Sequence, residues 1–232
     1  MEKNVKQIKV SPVRVVAGTV LLDGDLSVPE NPRGIVLFAH GSGSSRLSPR
    51  NRYVSGVLQN AGLATVLFDL LTKEEEAEDS RTGHLRFNIP FLARRLVAAT
   101  IWLRKDSEVR DLNLGYFGAS TGAAAALLAV AELPDVVSAV VSRGGRPDLA
   151  LPALSRVKAP VLLIVGGEDL PVIGMNREAF RELKVEKELV IVQGATHLFE
   201  EPGALEKVAE LAAGWFLKYL GSRSEMMEKV AA

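Results

Sequence analysis

The chain has 232 residues, 28 basic and 28 acidic side chains, 47% hydrophobic residues and no cysteine. Equal charges leave no net field for nucleic acid or an anionic membrane surface. The lack of cysteine excludes disulfides, thiolate metal sites and a thiol nucleophile. Residues 1–10 lack the apolar run of a secretory signal, and no stretch of about 18 apolar residues reaches membrane-spanning length. A cytoplasmic α/β protein, a monomer or a homodimer, is the expectation.

Residues 13–22 are rich in β-branched side chains, Asp23-Gly24 reads as a hairpin turn, and 25–28 as the returning strand. Residues 29–32 form a loop, and the pattern then changes. Short, nearly continuous apolar runs at 35–39, 64–68, 114–117, 136–142, 161–165 and 189–192 read as parallel strands covered on both faces. Helical periodicity occupies 50–60, 90–105, 120–133, 175–184 and 203–220. In the last of these, Trp215, Phe216 and Leu220 read as core-facing. Residues 70–89 show no clear element, and their acidic run reads as a solvated face. An antiparallel hairpin feeding a β/α alternation predicts a mostly parallel, doubly wound sheet in one domain over 1–221. Residues 222–232 read as a polar tail.

Within this frame one segment carries chemistry. The strand at 114–117 runs into Gly118-Ala119-Ser120-Thr121-Gly122 and then an alanine-rich helix, the layout of a nucleophile elbow. A serine hydroxyl is a weak nucleophile and needs a base. His197 follows the strand at 189–192, and Asp169 follows the strand at 161–165. Open α/β sheets place their sites beyond the carboxyl ends of such strands, so Ser120, Asp169 and His197 are expected to converge. His197 then serves as base, with Asp169 fixing its tautomer. Oxyanion donors are expected from the backbone N–H groups of Thr121 and of Ser42, in the loop His40-Gly41-Ser42-Gly43-Ser44-Ser45.

Other residues read differently. His40 is expected to shape its turn, and His84 to be exposed. Asp148 is the reserve triad acid, while Glu168 and Glu200 read as solvated. Arg46, Arg81 and Arg143 are candidates to clamp an anionic part of a substrate, and Arg50 and Arg146 fall in the same loops. Ion pairing with Asp69, Asp79 or Asp148 is the favoured alternative for these arginines. Three scattered histidines form no metal constellation, and neither metal nor cofactor is expected.

Taken together, the elbow, Gly166-Gly167-Glu168-Asp169, Gly194-Ala195-Thr196-His197 and the 40–45 loop make the chain resemble the α/β-hydrolase superfamily, most closely its dienelactone hydrolase-like group. The segments 40–46 and 142–147 resemble a bacterial subgroup sometimes fused to phosphoribosyltransferase domains. The resemblance implies an α/β-hydrolase fold without a cap domain. It departs from typical dienelactone hydrolases, whose nucleophile is cysteine, because Ser120 stands here. A carboxylesterase acting on small soluble esters is therefore expected. The alternatives are a hydrolase of another activated electrophile (a lactone, thioester or phosphotriester, with an anionic group for the arginines) and a non-catalytic domain regulating a partner enzyme.

Overall fold

Residues 7–221 are described in the computed structural model. The strands are β1 (Ile8–Ala17), β2 (Val20–Pro29), β3 (Ile35–Ala39), β4 (Ala64–Phe68), β5 (Leu114–Ala119), β6 (Val137–Arg143), β7 (Val161–Gly166) and β8 (Lys187–Val192). They form one sheet in the order β1-β2-β4-β3-β5-β6-β7-β8. The β1/β2 and β2/β4 pairs are antiparallel and the others parallel. The helices are α1 (Pro49–Asn60), α2 (Lys73–Thr82), α3 (Ile89–Leu103), α4 (Thr121–Glu132), α5 (Leu170–Glu182) and α6 (Ala204–Leu220). A 3₁₀ segment, Pro147–Arg156, lies between β6 and β7, where a cap domain would otherwise be inserted.

Side chains of successive strand residues leave a sheet on opposite faces. Accordingly, Ile35, Leu37 and Ala39 of β3 join the core under α3, α4 and the 3₁₀ segment. Val36 and Phe38 join the opposite core, under α1 and α6. Both faces are thus apolar, which is why these strands read as continuous hydrophobic runs. In α4, Ala123 to Ala126 are fully buried, their short side chains letting the helix lie close against the sheet. Trp215, Phe216 and Leu220 of α6 are buried as expected.

Three expectations are corrected. The hairpin turns at Gly18-Thr19, with Gly18 at φ +67°, and not at Asp23-Gly24. Gly24 lies inside β2, where a Cβ would meet Phe68 Cβ and Val13 Cγ2 at 3.1 Å. Its missing side chain serves the close approach of neighbouring strands and not a turn. Secondly, α5 begins at Leu170, five residues before the predicted start, with a proline in its first turn and Asp169 at its N-cap position.

The third correction concerns 70–89, which contains a helix. Thr72 and Glu75 form a capping box: Glu75 N–H donates to Thr72 Oγ1 at 3.2 Å and Thr72 N–H to Glu75 Oε2 at 2.8 Å, satisfying orphan donors of the first turn. The acidic run is also not wholly solvated. Asp79 is fully buried and accepts from the N–H of Leu85 at 2.6 Å and from Arg86 Nε at 2.5 Å. Burial pushes this carboxyl up, but the Arg86 and amide hydrogen bonds outweigh it and hold the group below the usual carboxylate range. Glu75 pairs with Arg95 of α3 at 2.5 Å. The inward face of α2 is therefore charged and hydrogen-bonded, which removes the apolar periodicity that would announce a helix.

The predicted tail at 222–232 lies outside the described residues. No helix among the described residues is long and apolar enough to cross a membrane. Asp79→Ala strands Arg86 and two backbone donors, so it is expected to lower stability by about 1–3 kcal/mol. Urea denaturation checks this, and limited proteolysis is expected to open 83–88 first.

Candidate active site

The site begins with a constraint on one backbone residue. Ser120 joins β5 to α4 at φ 50°, ψ −121°, a conformation costly for a residue with a Cβ. The surroundings over-determine it. Ser120 N–H donates to the Arg143 carbonyl at 3.2 Å, and Arg146 N–H donates to the Ser120 carbonyl at 3.1 Å. The flanking glycines admit no substitution: a Cβ on Gly118 would sit 2.4 Å from Ala123 Cα, and one on Gly122 2.3 Å from the Ala39 carbonyl oxygen. The tight turn keeps the serine hydroxyl out of the sheet and at the wall of a cavity of about 260 Å³.

His197 lines the same cavity. Its Nδ1 lies 2.6 Å from Asp169 Oδ2, with the carboxylate 13% exposed. A carboxylate accepts, so Nδ1 carries the proton and Nε2 is left as the free acceptor. Asp169 sits at the end of β7 beside the start of α5, and the 193–199 loop carries His197 back over it. No hydrogen bond joins Ser120 Oγ to His197 among the described residues.

Of the two predicted oxyanion amides, Thr121 is the first residue of α4, where N–H groups have no intrahelical acceptor. The Ser42 amide is not free: it donates to Thr121 Oγ1 at 2.9 Å. The threonine hydroxyl thus ties the 41–45 loop to the elbow.

His40 shapes its turn. It is buried, its Nε2 accepts from Leu70 N–H at 3.0 Å, and its Nδ1–H faces the Gly41 carbonyl at 3.0 Å. Asp148, the reserve acid, is held by Arg146 through bonds of 2.9 and 2.8 Å and does not reach His197. Glu200 pairs with Arg50 at 2.6 Å.

The candidate arginines separate. Arg46 is bonded to Asp69 and is 3.8 Å from Asp25, which makes it a strut between the loop and the sheet. Arg81 is exposed on α2, away from the cavity. Only Arg143 of the three lines the cavity, together with Arg50. Composition and spacing mark the loops but not which guanidinium finds a carboxylate, so the separation was invisible in the sequence. Among the described residues, no group of three or more His, Asp or Glu is placed to hold a metal ion.

The sheet order, the strained serine after β5 and the acid and histidine after β7 and β8 define an α/β-hydrolase fold without a separate cap. The chain belongs to the dienelactone hydrolase family, whose family model matches residues 22–221. It is similar to a crystallised dienelactone hydrolase from Anabaena variabilis, with 63% identity and a TM-score of 0.91 over 92% of this chain and 99% of that one. A dienelactone hydrolase-like promiscuous phosphotriesterase from metagenomic libraries shares the fold at 19% identity and a TM-score of 0.75, over 92% of this chain and 99% of that one. A protein of Mycobacterium tuberculosis named "Putative phosphoribosyl transferase" is 57% identical over 208 residues, covering 90% of this chain and 46% of the relative. The chain thus spans about half the length of the curated relatives it matches.

Burial lowers the His40 pKa from its ordinary 6.5, with the Gly41 hydrogen bond acting in the opposite direction. Below that pH the unfolded chain takes up a proton that the folded chain resists, so His40 makes stability fall with falling pH. His40→Gln is expected to flatten the pH dependence of unfolding free energy between about pH 7.5 and 5, measured as the difference between wild type and variant.

Proposed function

We propose that the chain is a serine hydrolase of small carboxylic esters, acting through an acyl-enzyme, with Ser120 as nucleophile, His197 as base and Asp169 as its orienting acid. The observation that carries this reading is the 2.6 Å Asp169–His197 contact facing the same cavity as a serine held in a strained elbow. Ser120 Oγ attacks the ester carbonyl while its proton passes to His197 Nε2; the nucleophile–base contact tightens when substrate is bound. Asp169 stabilises the resulting imidazolium. The negative oxygen is met by the Thr121 N–H and, once it exchanges its bond with Thr121 Oγ1, by the Ser42 N–H. Collapse breaks the C–O bond to the alcohol, which leaves with the proton held on His197. Water, deprotonated by the same nitrogen, then releases the acid and restores Ser120.

The cavity is small, which fits short acyl groups. Zero cysteines leave serine as the only plausible elbow nucleophile. We place the activity in the cytoplasm. Turnover of short 4-nitrophenyl esters is the test. Ser120→Ala is expected to lose at least about 10³-fold in kcat, and Asp169→Asn on the order of 10³–10⁴-fold, because the amide favours the wrong imidazole tautomer. Wild-type turnover by Ser120→Ala would sink the mechanism.

A further inference from the structure

The first donor of the oxyanion site and the anchor of the second belong to one residue. Thr121 opens α4, where its N–H has no intrahelical acceptor and no side-chain hydrogen bond caps the helix. Its hydroxyl accepts the Ser42 N–H at 2.9 Å. Thr121 is buried, at 4% exposure, and a β-branched side chain is stiff at χ1. Its Oγ1 is therefore a fixed post. Ser42, which that post holds, borders the cavity that contains Ser120 and His197.

The loop needs such a post. Gly41-Ser42-Gly43-Ser44-Ser45 carries no apolar side chain to pack it in place, and Gly43 turns at φ +68°. It lies hard against the elbow through glycines. A Cβ on Gly41 would sit 3.1 Å from Ser120 Cβ, and one on Gly122 2.5 Å from the His40 carbonyl oxygen. Such contacts fix how near the loop lies, but not which way the Ser42 amide faces. His40 fixes the start of the loop through the Leu70 N–H at 3.0 Å. A turn closes from Ser44 N–H to the Gly41 carbonyl at 3.2 Å. Among the described residues, the Ser42–Thr121 contact is the one hydrogen bond between the 41–45 loop and the 118–122 elbow.

We propose that the Thr121 hydroxyl is a positioning group for the reaction. It holds the Ser42 amide at the elbow in the free protein and yields it to the negative oxygen as that charge develops. The proposal rests on the serine hydrolase reading. A hydrogen bond to a charged oxygen is roughly twice as strong as one to a neutral group. The exchange therefore runs toward the oxyanion as the tetrahedral intermediate forms, and back toward Oγ1 as it collapses. A neutral ester carbonyl is a weaker acceptor, so the contact acts on the transition state more than on substrate binding. Without the hydroxyl, the Ser42 N–H loses its partner and the glycine-rich loop its register. The donor is then no longer preorganised where charge appears.

Thr121→Val keeps the shape of the side chain and the backbone N–H, and removes only the acceptor. Loss of a whole oxyanion donor costs about 10²–10³-fold in kcat. Loss of its positioning is expected to lower kcat for 4-nitrophenyl butyrate at least about tenfold, with KM changed less than about twofold. Thr121→Ala, which removes the acceptor without adding bulk, is held to the same expectation. Thr121→Ser, which restores the acceptor, is expected to recover most of the loss. Amide hydrogen exchange of the full chain, followed by NMR, reads the contact without turnover. The Ser42 amide is expected to exchange at least about tenfold faster in Thr121→Val than in wild type or Thr121→Ser. An unchanged kcat, a loss confined to KM, or a serine variant as slow as the valine one overturns the proposal. Equal Ser42 exchange in all three proteins overturns it too. If Thr121→Val matches an active wild type, this proposal alone fails. If folded wild type turns over no ester, the hydrolase reading fails and the proposal with it.

Discussion

Everything at the candidate site depends on the turn at Ser120. Its backbone occupies φ 50°, ψ −121° because β5 must pass into α4 with no intervening loop. The cost of that conformation is met by contacts on every side. Parallel pairing fixes β5 between β3 and β6. Two backbone hydrogen bonds clamp the serine, and the alanines of α4 bring the helix against the sheet. Strain of order 1–3 kcal/mol is held by this packing, leaving the hydroxyl exposed to the cavity and the first amides of α4 free.

The other groups are delivered by the same rule of strand ends. Asp169 follows β7 and His197 follows β8, the next two strands beyond β6, so they share an edge with Ser120 despite wide sequence separation. Around them the loops are braced by charge. Asp69, Asp79 and Asp148 each hold an arginine, and the buried His40 ties the first loop to Leu70. Against this braced background, Arg143 is buried with no carboxylate partner among the described residues.

Much of this was legible in the sequence because the apolar runs were unambiguous. Strands covered on both faces show as uninterrupted hydrophobic segments, and β3 to β8 were recognisable from them. The glycines of the elbow and the positions of Asp169 and His197 followed from strand ends. What escaped detection was governed by polar contacts. Asp23-Gly24 has turn chemistry, yet Gly24 serves strand packing. The helix α2 buries a carboxylate and an ion pair where a core helix would bury leucines. The commitment of the Ser42 amide to Thr121, and the sorting of paired from unpaired arginines, depend on three-dimensional partners that no local pattern encodes.

The central claim is that the folded elbow makes Ser120 a nucleophile. A fluorophosphonate probe, applied to native and to urea-unfolded protein and followed by mass mapping of the adduct, tests it most directly. The account predicts a single adduct on Ser120 in the native protein and none after unfolding. No labelling of the native protein, or an adduct on another residue, would contradict it.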